Sequence, residues 1–215
     1  MRRDGYCDPT PQSRIKRAHV LFTDESPVLH PVPNRQNMRT RTSDPNTVPA
    51  ICRPKKSLHI MVVGGVSRYG KTPLHIVPAG QKINGQYYRD EILPVYEAVL
   101  KDRLALPQQQ FMCLQQDGAR PHTAQLTMRW LQEHDIPVWK DWPGNSPDLN
   151  VIEHLWNRLQ ESVFRQPRPQ TRQQLIDRVL EEWDSITQDD ITTLVESYPA
   201  RIADCLSANG GHTDY

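Results

Sequence analysis

Apolar positions along this chain fall into short uninterrupted runs and longer stripes of helical period. Leu58 to Val66 reads L-H-I-M-V-V-G-G-V, a run short enough for a strand and apolar enough to be covered on both faces, with Gly64 and Gly65 near its end. Val20-Leu21-Phe22-Thr23 predicts a strand over about 18–23, Leu74 to Val77 a short one between Pro73 and Pro78, and Phe111-Met112-Cys113-Leu114 another over 111–117. Residues 26–57 hold six of the nineteen prolines, so extended chain and loop are expected there rather than helix. Tyr87, Tyr88, Ile92, Leu93, Tyr96 and Val99 predict a helix over 86–101, with Pro94 as a candidate kink. Helix 123–134, strand 136–139 and helix 151–165 follow, and Pro167 and Pro169 end the last of these. Leu175, Ile176, Val179, Leu180, Trp183 and Ile186 form a core-facing helical stripe, and a final helix is expected over 189–207, interrupted near Pro199.

This order predicts an α/β fold, a mixed sheet flanked by helices with a helical C-terminal part. At 215 residues the chain fits one substantial domain: a basic leader (1–17), a core (18–165) and a helical extension of that domain (166–215). The tryptophans Trp130, Trp139, Trp142, Trp156 and Trp183 read as core rather than stacking platforms. Trp156 lies on the stripe Ile152-Leu155-Trp156-Leu159.

Composition narrows the function classes. Mean hydropathy is −0.68 and no apolar run nears the length that spans a bilayer. The opening M-R-R-D-G-Y-C-D-P-T has no apolar stretch, so secretion is not expected. Cys7, Cys52, Cys113 and Cys205 form no CxxC pair, which predicts reduced thiols and no cysteine zinc site. The formal net charge of +1 conceals an asymmetry. Residues 1–17 carry five basic and two acidic side chains; 34–58 carry Arg35, Arg39, Arg41, Arg53, Lys55 and Lys56 against Asp44. Residues 171–215 carry three basic and nine acidic groups. A basic front and an acidic tail fit a chain with one face toward a polyanion.

Three acids fall at the ends of predicted elements. Asp24 closes the first strand, Asp117 follows the apolar run before Gly118, and Glu153 opens the helix at 151–165. Oxygen ligands of this kind suit Mg²⁺ or Mn²⁺, and a pair of such ions can serve phosphodiester hydrolysis. Each acid also has a plainer reading. Asp24 before Glu25-Ser26-Pro27 could end a strand in a turn, Asp117-Gly118 is a turn signal, and Glu153 three residues after Asn150 has capping-box spacing. His122 could cap a helix or contact phosphate, and His154 could face the site or solvent.

The blocks H-V-L-F-T-D-E-S (19–26), M-V-V-G-G-V-S (61–67), Y-Y-R-D-E-I-L-P (87–94), Q-Q-D-G-A-R-P-H-T-A (115–124) and N-S-P-D-L-N-V-I-E-H-L-W (145–156) resemble the catalytic domain of the Tc/mariner superfamily of DNA transposases. So does the ending G-G-H-T-D-Y at 210–215. The resemblance implies a ribonuclease-H-like fold and an Asp-Asp-Glu triad on Asp24, Asp117 and Glu153. Thirty-five residues lie between the last two, close to that family's spacing. It implies two Mg²⁺ or Mn²⁺ ions and DNA as partner (transposon ends and target), and it admits a homodimer; no small-molecule cofactor is implied. The reaction it implies is cleavage at transposon ends by activated water, then attack of the freed 3′-hydroxyl on target DNA. Arg35, Arg39, Arg41, Lys55, Lys56, Arg120 and His122 are the candidate DNA contacts. Action in the nucleus is inferred from that substrate.

Two departures stand out: Val63 replaces a usual tryptophan, and Val151 replaces the proline that commonly follows the asparagine. Related enzymes also carry paired helix-turn-helix modules ahead of this domain, whereas only a short basic leader precedes Asp24. DNA binding is therefore expected to run mainly through phosphates. Alternatives are a catalytically inactive or co-opted transposon-derived DNA-binding protein, or a metal nuclease without strand transfer. An aspartic protease is disfavoured, because Asp117-Gly118-Ala119 lacks D-[ST]-G and a second copy. Removal of residues 1–17 should weaken DNA binding at low salt and leave folding unchanged; unchanged affinity in a filter-binding titration would exclude a role for the leader.

Overall fold

The computed structural model describes residues 20–29, 58–104, 113–139, 142–143, 146–211 and 213. The leader, Arg35, Arg39, Arg41, Lys55 and Lys56 lie outside these. The strands are β1 (Val20–Leu29), β2 (His59–Ser67), β3 (Gly70–Lys71), β4 (His75–Val77) and β5 (Cys113–Gln115). β2 lies between β1 and the short β3 and β4, antiparallel to all three, and β1 runs parallel to β5. The strand expected at 136–139 is reduced to one parallel bridge, Leu114 to Val138, closed by hydrogen bonds Leu114 N–H to Pro137 O and Trp139 N–H to Leu114 O. Pro137, inside that segment, has no N–H with which to extend the ladder.

β1 is longer than its apolar run predicts. It continues through Pro27 to Leu29, so Asp24 stands mid-strand, opposite Gly64, and not at an element end. Pairing with β5 stops at Phe22, and Pro27 is tolerated because, among the described residues, no strand lies along that edge to take an N–H from it.

The helices are α1 (Leu93–Leu104), α2 (Arg120–Thr123), α3 (Gln125–Glu133), α4 (Ile152–Val163), α5 (Arg172–Ser185), α6 (Gln188–Glu196) and α7 (Tyr198–Ser207). A turn at Gly85–Tyr87 and a π-helical turn at Tyr88–Ile92 lead into α1. Pro94 has no N–H to give the preceding turn, and the chain accommodates it by widening that turn: Leu93 N–H reaches back to Tyr88 O. The expected interruption near Pro199 is the α6–α7 junction at Ser197, with Pro199 in the first turn of α7.

Alternation along β1 and β2 builds two cores. Val20, Phe22, Val28, Ile60, Val62 and Val66 face α4 and α5, joined by Trp156, Leu175, Val179 and Trp183. Leu21 and Val63 face the other way, onto Tyr88, Ile92, Leu93 and Tyr96. Val63, where a tryptophan was expected, is fully covered there. Leu180 departs from its predicted stripe and is exposed. Helix α5 is fixed to the sheet at its end: Lys71 donates to the carbonyls of Trp183, Asp184 (2.9 Å) and Ile186 (2.8 Å), a cation at a helix C-terminus. Trp183 Nε1 donates to Thr72 O at 3.0 Å.

Gly64 is required by that packing. A Cβ there would lie 3.1 Å from Trp156 Cη2 and 3.3 Å from Trp183 Cη2, inside ordinary contact distance. Gly64→Ala should cost about 1–3 kcal/mol of stability through overpacking, read as a lower urea midpoint with an unchanged slope; an unshifted midpoint would show that the indoles move aside freely.

Candidate active site

Helix α4 lies along the edge of β1 that β5 leaves unpaired. Asn150 Nδ2 donates to Thr23 O at 3.1 Å, and Gln160 both accepts from Leu29 N–H (3.3 Å) and donates to Leu29 O. Between these two clips stand Glu153 and Trp156. Trp156 Nε1 donates to Asp24 Oδ2 at 3.1 Å, and the Glu153 carboxyl shares a hydrogen bond with that of Asp24. The side chain of Glu153 is thus turned to β1. The capping box is half formed: Asn150 Oδ1 accepts from Ile152 N–H at 3.4 Å, but Asn150 N–H goes to Pro147 O and the Glu153 carboxyl to Asp24.

Burial, the Glu153 carboxylate and the neighbouring Glu25 raise Asp24 from 3.8 to about 8. Burial also raises Glu153, moderated by the hydrogen bond to Asp24. The pair holds a proton at neutral pH because both cannot ionise side by side without a compensating charge. The donors are all oxygen, partly covered and convergent, which suits a hard divalent cation.

Asp117 stands apart from this pair. Continuing the register Phe22 to Gln115 by two residues would set it opposite Asp24, but the chain leaves the ladder at Gln115. At that departure Thr23 bonds Gln115 through side chains: Thr23 N–H to Oε1 (3.1 Å), Oγ1 to Gln115 O (2.6 Å). The Asp117 carboxylate accepts from Ala119 N–H (2.8 Å), as its turn reading predicts, and from His122 Nδ1 (2.6 Å). His122 Nε2 faces Glu25 Oε1 at 3.2 Å, and its ring lies 4.3 Å from that of Tyr88. Burial opposes a charge on His122, yet the hydrogen bonds to Asp117 and Glu25 outweigh it and raise the imidazole to about 9. The hydrogen bond from His122 in turn lowers Asp117. Among the described residues, no three acidic, histidine or cysteine side chains stand close enough together to share a metal ion.

Two expectations change. His122 neither caps a helix nor is free to meet a phosphate: it is 3% exposed and engaged on both nitrogens. His154 is engaged by Arg201, from which its Nδ1 accepts at 3.1 Å. Arg120 is exposed, as a DNA contact requires. Sequence reasoning missed Glu25, the His122 bridge and the contact of Trp156 with Asp24. The alternation of β1 gave a signal for Glu25, which must face opposite to Asp24. The apolar stripe through Trp156 hid its polar edge.

The family of DDE superfamily endonucleases has a sequence model that matches residues 19–176. The Tcb2 transposase of a Caenorhabditis briggsae transposable element is 35% identical over 101 residues, 47% of this chain and 36% of the relative. The chain therefore matches little more than a third of that relative's length. Among solved structures, the Mos1 transposase catalytic domain with raltegravir and Mg is similar with a TM-score of 0.71 at 16% identity, covering 94% of this chain and 90% of that one. A Mos1 transposase paired-end complex with left transposon end gives 0.73 at 18% identity, covering 93% and 59%. At such identities the likeness concerns the fold, which is the ribonuclease-H-like mixed sheet expected.

Proton linkage gives a test of the two clusters. Unfolding drops Asp24 from about 8 to 3.8 and His122 from about 9 to 6.5, so the folded state binds the extra protons and loses stability as pH rises through these intervals. Asp117, lowered on folding, contributes in the opposite sense only near and below 3.8. In EDTA the thermal midpoint should fall from pH 6.5 to 9, and less steeply in Asp24→Asn. A midpoint that rises over this range would contradict the burial of these groups.

Proposed function

From the premise that this chain belongs to the DDE superfamily endonucleases, in their Tc/mariner branch, we propose that it is the catalytic part of a cut-and-paste transposase. In this reading it cleaves DNA at transposon ends and joins the freed 3′-hydroxyl to target DNA. The observation that carries the reading is the meeting of Asp24 and Glu153 across β1 and α4, two carboxyls that cannot both ionise unaided. Asp24, Asp117 and Glu153 are the proposed catalytic acids.

Asp24 and Glu153 would hold Mg²⁺ or Mn²⁺, with Asp117 completing the set; the Mos1 structure that resembles this chain contains Mg. Two such ions, when bound, supply charge neutralisation at the phosphate and lower the pKa of water. The residues themselves do the rest. Asp24 is oriented by Trp156, Glu153 by the first turn of α4 as Asn150 ties it to Thr23, and Asp117 by His122. His122 holds the Asp117 carboxylate through Nδ1, and Glu25 faces the other ring nitrogen, so the imidazole is fixed from both sides.

DNA is the proposed partner, and the support for this is the similar Mos1 transposase, which forms a paired-end complex with its left transposon end. A second copy of the chain at paired ends, and action in the nucleus, are inferred from that substrate. Arg120 and the basic residues Arg35, Arg39, Arg41, Lys55 and Lys56 are the proposed phosphate contacts.

Supercoiled plasmid incubated with the purified chain and Mg²⁺ or Mn²⁺ should be nicked, and EDTA should stop the reaction. Asp117→Asn should abolish nicking while its circular dichroism matches that of the parent. Equal nicking by both would remove Asp117 from the triad, and a folded parent that never nicks would favour a DNA-binding role.

A further inference from the structure

We propose that Trp156 is a positioning residue for the carboxylate site, its indole N–H holding one oxygen of Asp24 in the orientation that a cation requires; this rests on the assignment of Asp24 above. Trp156 is 4% exposed, and its ring stacks on that of Trp183 at 5.4 Å between centroids and 24° between planes. Trp183 is itself 1% exposed and pinned through Nε1 to Thr72 O. Below both rings lies Gly64, whose missing Cβ leaves the space that they fill, and Gly64 is the residue opposite Asp24 in the β1–β2 register. The indole is therefore held by sheet, helix and neighbouring ring together. Its one polar atom is aimed at Asp24 Oδ2, 3.1 Å away.

An indole nitrogen donates and cannot accept. It therefore supports Asp24 as an acceptor oxygen, the form that binds a cation, and opposes rotation of the carboxyl toward the core. A ring of similar size without that donor would leave Oδ2 covered and unanswered. Ligand-orienting partners of this sort typically change metal affinity by about 10- to 100-fold. The stacking role alone would not: a phenyl ring can still lie on Trp183.

Trp156→Phe separates the two roles, and calorimetric titration of the full chain with Mn²⁺ reads the effect without DNA. The variant should bind Mn²⁺ about tenfold more weakly than the parent, with a lower urea midpoint but a circular dichroism spectrum that matches the parent's. In plasmid nicking, the Mn²⁺ concentration for half-maximal rate should rise while the rate at saturating Mn²⁺ is largely retained. Parent-like Mn²⁺ affinity in Trp156→Phe, alongside lost affinity in Asp24→Asn, would overturn this proposal and leave the assignment of Asp24 standing. Parent-like affinity in Asp24→Asn, or no binding by the parent, would overturn both.

If Trp156→Phe does not fold, the parent labelled with ¹⁵N-tryptophan decides. Mg²⁺ should shift the indole N–H resonance that Asp24→Asn also moves. An indole spectrum unmoved by Mg²⁺, while calorimetry shows Mg²⁺ binding, would overturn the proposal.

Discussion

Buried backbone groups along a strand need hydrogen-bond partners, and β1 loses one neighbouring strand halfway. Beyond Phe22 its outer edge has no strand among the described residues, and the backbone groups of Thr23 and Leu29 are answered by side chains of Asn150 and Gln160 instead. The carbonyl of Thr23 is buried, and unanswered it would cost the desolvation penalty of an orphaned acceptor. This substitution of a helix for a strand fixes α4 along β1 in one register. Glu153 and Trp156 fall between the two clips, and both therefore meet Asp24. The long β1, the position of α4, the Gly64 gap and the covered indole pair all follow from that single docking constraint.

The two carboxylate clusters solve the same electrostatic difficulty in different ways. Asp117 and Glu25 have an imidazolium between them, so their charges are compensated by the protein itself. Asp24 and Glu153 have no cationic side chain beside them among the described residues, only an indole N–H, and meet the difficulty by retaining a proton. The first cluster carries a counter-charge of its own, and the second is open to a cation from solution. The two lie on opposite faces of β1, one residue apart, which the alternation of a strand imposes on Asp24 and Glu25.

Much of this was legible in the sequence, and the failures have physical reasons. The run Leu58–Val66 announced a strand covered on both faces, and the stripe through Leu175, Val179 and Trp183 announced a core helix. Asp24 and Glu153 could be paired because their motifs were recognisable. The end of β1 was misread because Pro27 is a breaker only where a ladder needs its N–H, and a sequence does not say which edge is free. His122 was read as a cap or a phosphate contact because its two carboxylate partners are 5 and 97 residues away and only one of them is local. Trp156 was correctly placed in the core, yet periodicity reports only the apolar part of an indole and is blind to its N–H.

Residues 19–176 match the endonuclease family, and that stretch ends inside α5. Trp183 lies beyond it. So does the α5 terminus that Lys71 clasps, and so do α6 and α7, which supply Ile191, Val195, Tyr198 and Ile202 to the core shared with Phe22 and Trp156. A fragment trimmed to the matched boundary would keep all three acids and discard half of the indole pair that steadies one of them. For this fold, the limits of recognisable ancestry and the limits of a self-sufficient active site are different lines.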